Sequence, residues 1–169
     1  MTLSLGLLLI RLVVGLTLAA HGSQKLFGWF GGNGYAKTSG WLESQGLRPG
    51  RFWALVGSVG EFAGGLLFAL GLLTPLAAIA LTASMLMAML KFHWSSGFWN
   101  AQHGYEYPLI LLVASLAVGL IGPGSYAIDA LIGFSISMPV FLVLLVIAVL
   151  FDVVGIVLSR RHALQHTTV

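Results

Sequence analysis

The sequence predicts an all-α membrane protein: a bundle of four transmembrane helices followed by a fifth, C-terminal transmembrane helix. Two observations carry that expectation. Charged side chains are 8% of the 169 residues, against about 25% in soluble domains, so a water-facing surface cannot be covered. The apolar residues also fall in continuous runs near the roughly 20 residues needed to cross a bilayer, without the alternation of a membrane barrel.

The first run covers residues 3–21. Its first basic residue, Arg11, lies inside the apolar stretch rather than before it. A secretory signal places its basic residues ahead of that stretch, so the run reads as a retained helix. The second run covers 52–73 and stops at Thr74-Pro75, where proline suits a helix start but not an interior. Helix three follows over 76–92. Helix four begins near 105–108 and ends before Gly122-Pro123-Gly124. Helix five covers 139–158. The five runs make one helical domain, with an aromatic cytoplasmic loop at 22–52 and a basic tail after helix five.

Orientation follows from charge. With the N-terminus on one side, Lys25, Lys37, Arg48, Arg51, Lys91, Arg160 and Arg161 all fall on the other. Basic loops stay cytoplasmic, so the N-terminus is expected outside and the C-terminus inside a bacterial plasma (inner) membrane. An odd number of spans is needed for this, which supports five. No basic run or nucleic-acid motif is present, so the expected partners are membrane lipid and a protein partner or second copy, not nucleic acid. The chain has no cysteine, which excludes disulfides, thiolate metal sites and Cys-attached haem. Any redox role must then use a bound cofactor or a partner.

The 22–52 loop carries Phe27, Trp29, Phe30, Tyr35 and Trp41, and the 93–104 loop adds Trp94, Phe98 and Trp99 on the same side. An aromatic belt at the headgroups is one reading, and a cap over a site is the other. A short surface helix is expected over 36–45, ended by Gly46. Gly60-x-x-x-Gly64, with Gly57 and Gly65, gives helix two a small-residue packing face.

Two groups of ionisable residues stand out. Arg11 and Glu61 each lie mid-helix. A central charge costs about 2.5–3.5 kcal/mol on insertion scales, so an Arg11–Glu61 contact is expected. That pair either locks two helices or holds a ligand headgroup. At the cytoplasmic edge gather His21, Lys25, Lys91, His93, His103 and Glu106, with Asp152 deep in helix five. Glu106 and Lys91 suit the helix dipoles at a start and an end. The three histidines lack any metal-binding spacing, so neither metal nor haem is expected. Asp129 is placed in the outer loop without a special role.

The motifs together resemble the DoxX family of small bacterial membrane proteins. The likeness runs through Arg11, then His21-Gly22-Ser23-Gln24-Lys25-Leu26-Phe27-Gly28, then Gly57-Ser58-Val59-Gly60-Glu61-Phe62-Ala63-Gly64-Gly65. It closes on Gly104-Tyr105-Glu106-Tyr107-Pro108-Leu109 and Gly122-Pro123-Gly124-Ser125-Tyr126-Ala127-Ile128-Asp129. It implies a four-helix membrane core over 1–130, with the added fifth helix and its basic tail over 131–169 as a departure. Related DoxD proteins are linked to thiosulfate:quinone oxidoreductase, and DoxX proteins to redox and oxidative-stress assemblies. Arg11, His21, Lys25, Glu61 and Glu106 match the family pattern and are the candidate ligand or quinone residues. Lys91, His93, His103 and Asp152 form a secondary polar cluster. No catalytic residue and no covalent cofactor carry over. Three functions stay open: a quinone-linked oxidoreductase subunit acting with a partner, a non-catalytic membrane anchor or assembly subunit, and a small transporter.

Overall fold

The computed structural model describes the backbone of residues 1–165 and the side chains of residues 1–161; the end of the expected basic tail, 166–169, lies outside the described residues. The elements are α1 (Thr2–Phe27), α2 (Gly34–Ser44), α3 (Gly50–Leu70), α4 (Thr74–Met87), α5 (Glu106–Ile121), α6 (Ile128–Ile132) and α7 (Met138–Gln165). Helix α4 continues through a wider π-turn at Ala88–His93. Among the described residues there is no strand. This is the all-α bundle that the apolar runs predict.

Four helical stretches are long and apolar enough to cross a membrane: Thr2–Phe27, Gly50–Leu70, Thr74–Ser96 and Met138–Arg161. Helix α5 is equally apolar but has 16 residues, so it spans about 24 Å against a hydrocarbon core near 30 Å. It packs against α4 and α1. The interior is apolar and shared: Leu7, Val14 and Leu18 of α1 meet Phe68 of α3, Ala78, Leu81 and Met85 of α4, and Leu111 and Val118 of α5. Helix α7 is mostly exposed, with Val143, Val146, Ile147, Leu150 and Val154 facing outward, as a lipid-facing helix requires.

Helix α1 runs six residues past its expected end at His21. The polar stretch His21-Gly22-Ser23-Gln24-Lys25 stays helical because the α3 surface packs against it. The helix stops only at Gly28, where φ of +75° reverses the chain. The expected surface helix is α2, and Gly46 follows it at φ +83°.

The α1–α3 interface brings two backbones into direct contact. A Cβ on Gly15 would lie 2.6 Å from the Gly65 carbonyl oxygen, and one on Gly22 would lie 2.4 Å from the Phe62 nitrogen. Both helices need small residues there, because their backbones touch. These contacts also fix an antiparallel register, with Gly15 level with Gly65 and Ala69, and Gly22 level with Phe62. The small-residue face of α3 is divided: Gly65 serves α1, while Gly60 and Gly64 face Ser84 and Leu81 of α4, and Gly57 touches nothing.

Helix α7 docks through specific seats. Phe141 packs over Gly119 of α5, and Gly155 lets the Trp53 ring of α3 approach. Trp53 and Phe52 in turn meet Phe151.

Candidate functional site

Register decides which charges meet. Glu61 is level with Gly22, not with Arg11 eleven residues away, a separation of roughly 16 Å along α1. The expected Arg11–Glu61 contact is therefore absent. Each residue has a different setting, about three helical turns apart along the bundle.

Glu61, 4% exposed at its side chain, accepts from Lys25 Nζ through both carboxylate oxygens, each at 2.6 Å. Lys25 comes from the last turn of α1, which exists only because α1 runs past residue 21. Its side chain is 41% exposed, so one partner is enclosed and the other reaches the periphery. A lysine stem suits this geometry, lying along apolar surface with its ammonium at the edge. The Lys25 carbonyl also accepts from Thr38 Oγ1 at 3.3 Å, which ties α2 to the end of α1.

Beside this pair, His21 of α1 and Tyr107 of α5 face one another. Their Nε2 and hydroxyl lie 3.4 Å apart, with the rings edge to face at 6.1 Å. Both are exposed, on the seam where α1 and α5 meet. Phe27, Trp29 and Phe62 form an aromatic cluster on the other flank, with Phe27 and Phe62 edge to face at 5.3 Å. The result is an enclosed acid, a half-open cation, an imidazole and a phenol at one end of the bundle, beside aromatic rings. Two surface cavities lie elsewhere: one between α2 and α3, and one near Pro75 and Gly119–Pro123. Neither is lined by these residues.

Arg11 is fully buried at the other end. Its Nη2 donates to the Tyr126 carbonyl. Gly71 makes the space: a Cβ there would collide with Arg11 Nη1 at 1.9 Å. Asp129 is the acid of this end. It is 1% exposed, and its oxygens accept from the Leu73 and Thr74 backbone N–H groups at 2.7 Å each, capping α4 from a distant segment. Its own N–H donates to the Gly71 carbonyl at 2.8 Å. Asp129, expected in an outer loop without a special role, lies in the first turn of α6 and has a structural one. A signal existed: Leu73, the residue before α4, offers no side-chain acceptor.

The remaining candidates separate. Glu106 latches the 94–105 loop by accepting from the Asn100 N–H at 2.9 Å. His93 Nδ1 bonds the His103 carbonyl at 2.7 Å, and Trp94 stacks on Tyr105 at 4.9 Å. Those residues build a compact loop rather than converging on Lys25. Lys91 lies in the π-turn, half-buried. Asp152 is buried on α7, and one of its oxygens lacks a hydrogen-bond partner among the described residues. Among the described residues no three of His, Asp and Glu come together. Sequence reasoning missed Tyr107, which sits one residue from Glu106, and the α1 glycines that set the register.

A helical membrane bundle with an ion pair recessed at one end is the class that this architecture defines. Comparison with known proteins narrows it. A sequence model of the DoxX family matches residues 6–94, and the chain belongs to that family. It is 31% identical over 132 residues to the uncharacterized membrane protein Rv3486 of Mycobacterium tuberculosis, covering 71% of this chain and 77% of the relative. It is 33% identical over 107 residues to the inner membrane protein YqjF of Escherichia coli, covering 62% and 79%. No solved structure matches the chain.

Proposed function

We propose that this protein is a membrane subunit of a redox or oxidative-stress assembly, binding a quinone ring at the α1–α5 seam. The observation that carries the reading is the Lys25–Glu61 pair: an enclosed carboxylate holding a half-exposed ammonium beside His21 and Tyr107. The donor set fits such a ring. Lys25 has three N–H donors and uses two on Glu61, leaving one for a carbonyl oxygen. Glu61 holds that ammonium in place, and Tyr107 and His21 offer a second polar contact. Phe27, Trp29 and Phe62 offer aromatic faces. A quinone, when bound, supplies the electron-accepting carbonyls. The chain has no cysteine, so electrons must arrive from a protein partner of the same assembly.

In this reading residues 1–130 carry the site and 131–169 add a helix for assembly. The helices cross a bacterial inner membrane five times, α5 included, with the N-terminus outside and the Lys25 end cytoplasmic. The bias of basic residues toward that end supports the orientation. Because the chain has no cysteine, Thr2→Cys and Ser96→Cys give single labelling sites. An impermeant maleimide on intact cells should label the first and spare the second; the opposite pattern would reverse the orientation.

Binding is tested by purifying the full chain in mild detergent and measuring co-extracted quinone by mass spectrometry. Wild-type protein should carry quinone above a control membrane protein. Lys25→Met and Glu61→Gln should lose it, while Glu106→Ala should keep it. Wild-type quinone at the control level would sink the reading.

A further inference from the structure

A second polar site lies away from the ion pair, in the cleft between α2 and the start of α3. It is a cavity of about 290 Å³ lined by Tyr35, Ala36, Ser39 and Arg51. Four features make it suited to an anion. Tyr35 and Ala36 lie in the first turn of α2, an 11-residue helix with no acid in that turn and, among the described residues, no side-chain cap, so its first N–H groups lack partners there. Ser39, 7% exposed, lines the cavity, and its hydroxyl makes no hydrogen bond among the described residues. Arg51 is exposed and makes no ion pair among them. The Tyr35 hydroxyl donates to the Arg51 carbonyl at 2.9 Å, which fixes one wall and leaves the phenol oxygen free to accept. The nearest acid in sequence, Glu43, turns to the Gly50 N–H at 3.2 Å and does not line the cavity.

We propose that this cleft binds a phosphate ester, and that its occupant is the headgroup of an anionic phospholipid. Helix N-termini present N–H groups and a positive dipole end to phosphate. A guanidinium matches two phosphate oxygens at once. The Ser39 hydroxyl supplies a third donor. The lipid source is favoured over free phosphate by position: exposed Trp29 and Phe30 precede α2, exposed Trp41 lies on it, and such rings sit at headgroup depth. The site shares no residue with the Lys25–Glu61 cluster and does not rest on the quinone reading.

The test uses the full chain, delipidated in a neutral detergent, with native mass spectrometry counting retained lipid. The probes are phosphatidylglycerol, phosphatidylcholine and inorganic phosphate. Wild-type protein should hold phosphatidylglycerol at least tenfold more tightly than phosphatidylcholine. Arg51→Gln should remove about tenfold of that affinity, and Ser39→Ala about threefold. Lys37→Gln removes the same charge from α2 outside the cleft and should change affinity less than twofold. All variants should elute as the wild type does in size-exclusion chromatography, and Arg51→Lys, with the charge but not the fork, should fall between. Competition by millimolar phosphate in wild type but not in Arg51→Gln supports the anion site. Equal losses in Arg51→Gln and Lys37→Gln, or equal retention of the two lipids, would overturn it. Phosphate binding that phosphatidylglycerol cannot displace would overturn the lipid occupant.

Discussion

Removing Lys25 should destabilise the protein more than removing the charge of Glu61, although the two residues form one pair. In Lys25→Met the Glu61 carboxylate, 4% exposed, keeps its burial and loses the cation bonded to both its oxygens. Breaking a fully buried pair from one side costs about 3–5 kcal/mol. The 41% exposure of Lys25 admits water to one side of this pair, so the expected loss is about 2 kcal/mol. In Glu61→Gln the ammonium can turn outward along its stem to the headgroups, and the amide keeps one acceptor, so the loss should be about 1 kcal/mol. The double variant removes both charges together, and a coupling of about 1–2 kcal/mol is expected from the cycle. Reversible unfolding of the purified chain in mixed micelles, titrated with sodium dodecyl sulfate, measures all four proteins. Additive losses, or a larger loss for Glu61→Gln, would refute the picture of an enclosed acid held by a peripheral cation.

Other perturbations probe the frame around that pair. Gly22→Val should abolish the α1–α3 contact, since even its Cβ would lie 2.4 Å from Phe62 nitrogen, and little folded protein should be recovered. Gly57→Ala, with nothing within 4 Å of the added Cβ, should stabilise by about 0.5–1 kcal/mol in thermal melts. Asp129→Ala removes two charge-assisted bonds from the start of α4 and should cost about 2–3 kcal/mol, with faster hydrogen exchange at the Leu73 and Thr74 amides. Glu106→Ala should accelerate exchange at the Asn100 amide and cost about 1 kcal/mol, leaving the Lys25–Glu61 coupling unchanged.

Much of the architecture was legible in the chain itself. Low charge and long apolar runs dictate membrane helices, because only internally bonded backbone survives in hydrocarbon. The Thr74-Pro75 and Gly122-Pro123 breaks mark helix limits for local reasons, and Gly46 follows α2 as expected. Arg11 and Glu61 could be singled out because charge in an apolar helix is costly wherever it falls, whereas Lys25 stood out only as part of the polar group at the membrane edge. Which charges pair could not be read from the chain. Pairing depends on how α1 and α3 slide past one another, and that is set by Gly15 against Gly65 and Gly22 against Phe62, contacts between backbones far apart in sequence. The end of α1 depended on the same packing, since His21–Lys25 is helical against α3 and Gly28 supplies the stop.

The sequence by itself thus determined the solvent, the helices and the small inventory of costly polar groups, because composition and local backbone preference act residue by residue. Only the tertiary structure decided that Glu61 belongs to Lys25, that Arg11 belongs to the Tyr126–Asp129 end, and that Glu106 latches a loop. Those choices follow from helix register and distant capping, where a shift of one turn, about 5.4 Å, exchanges every partner.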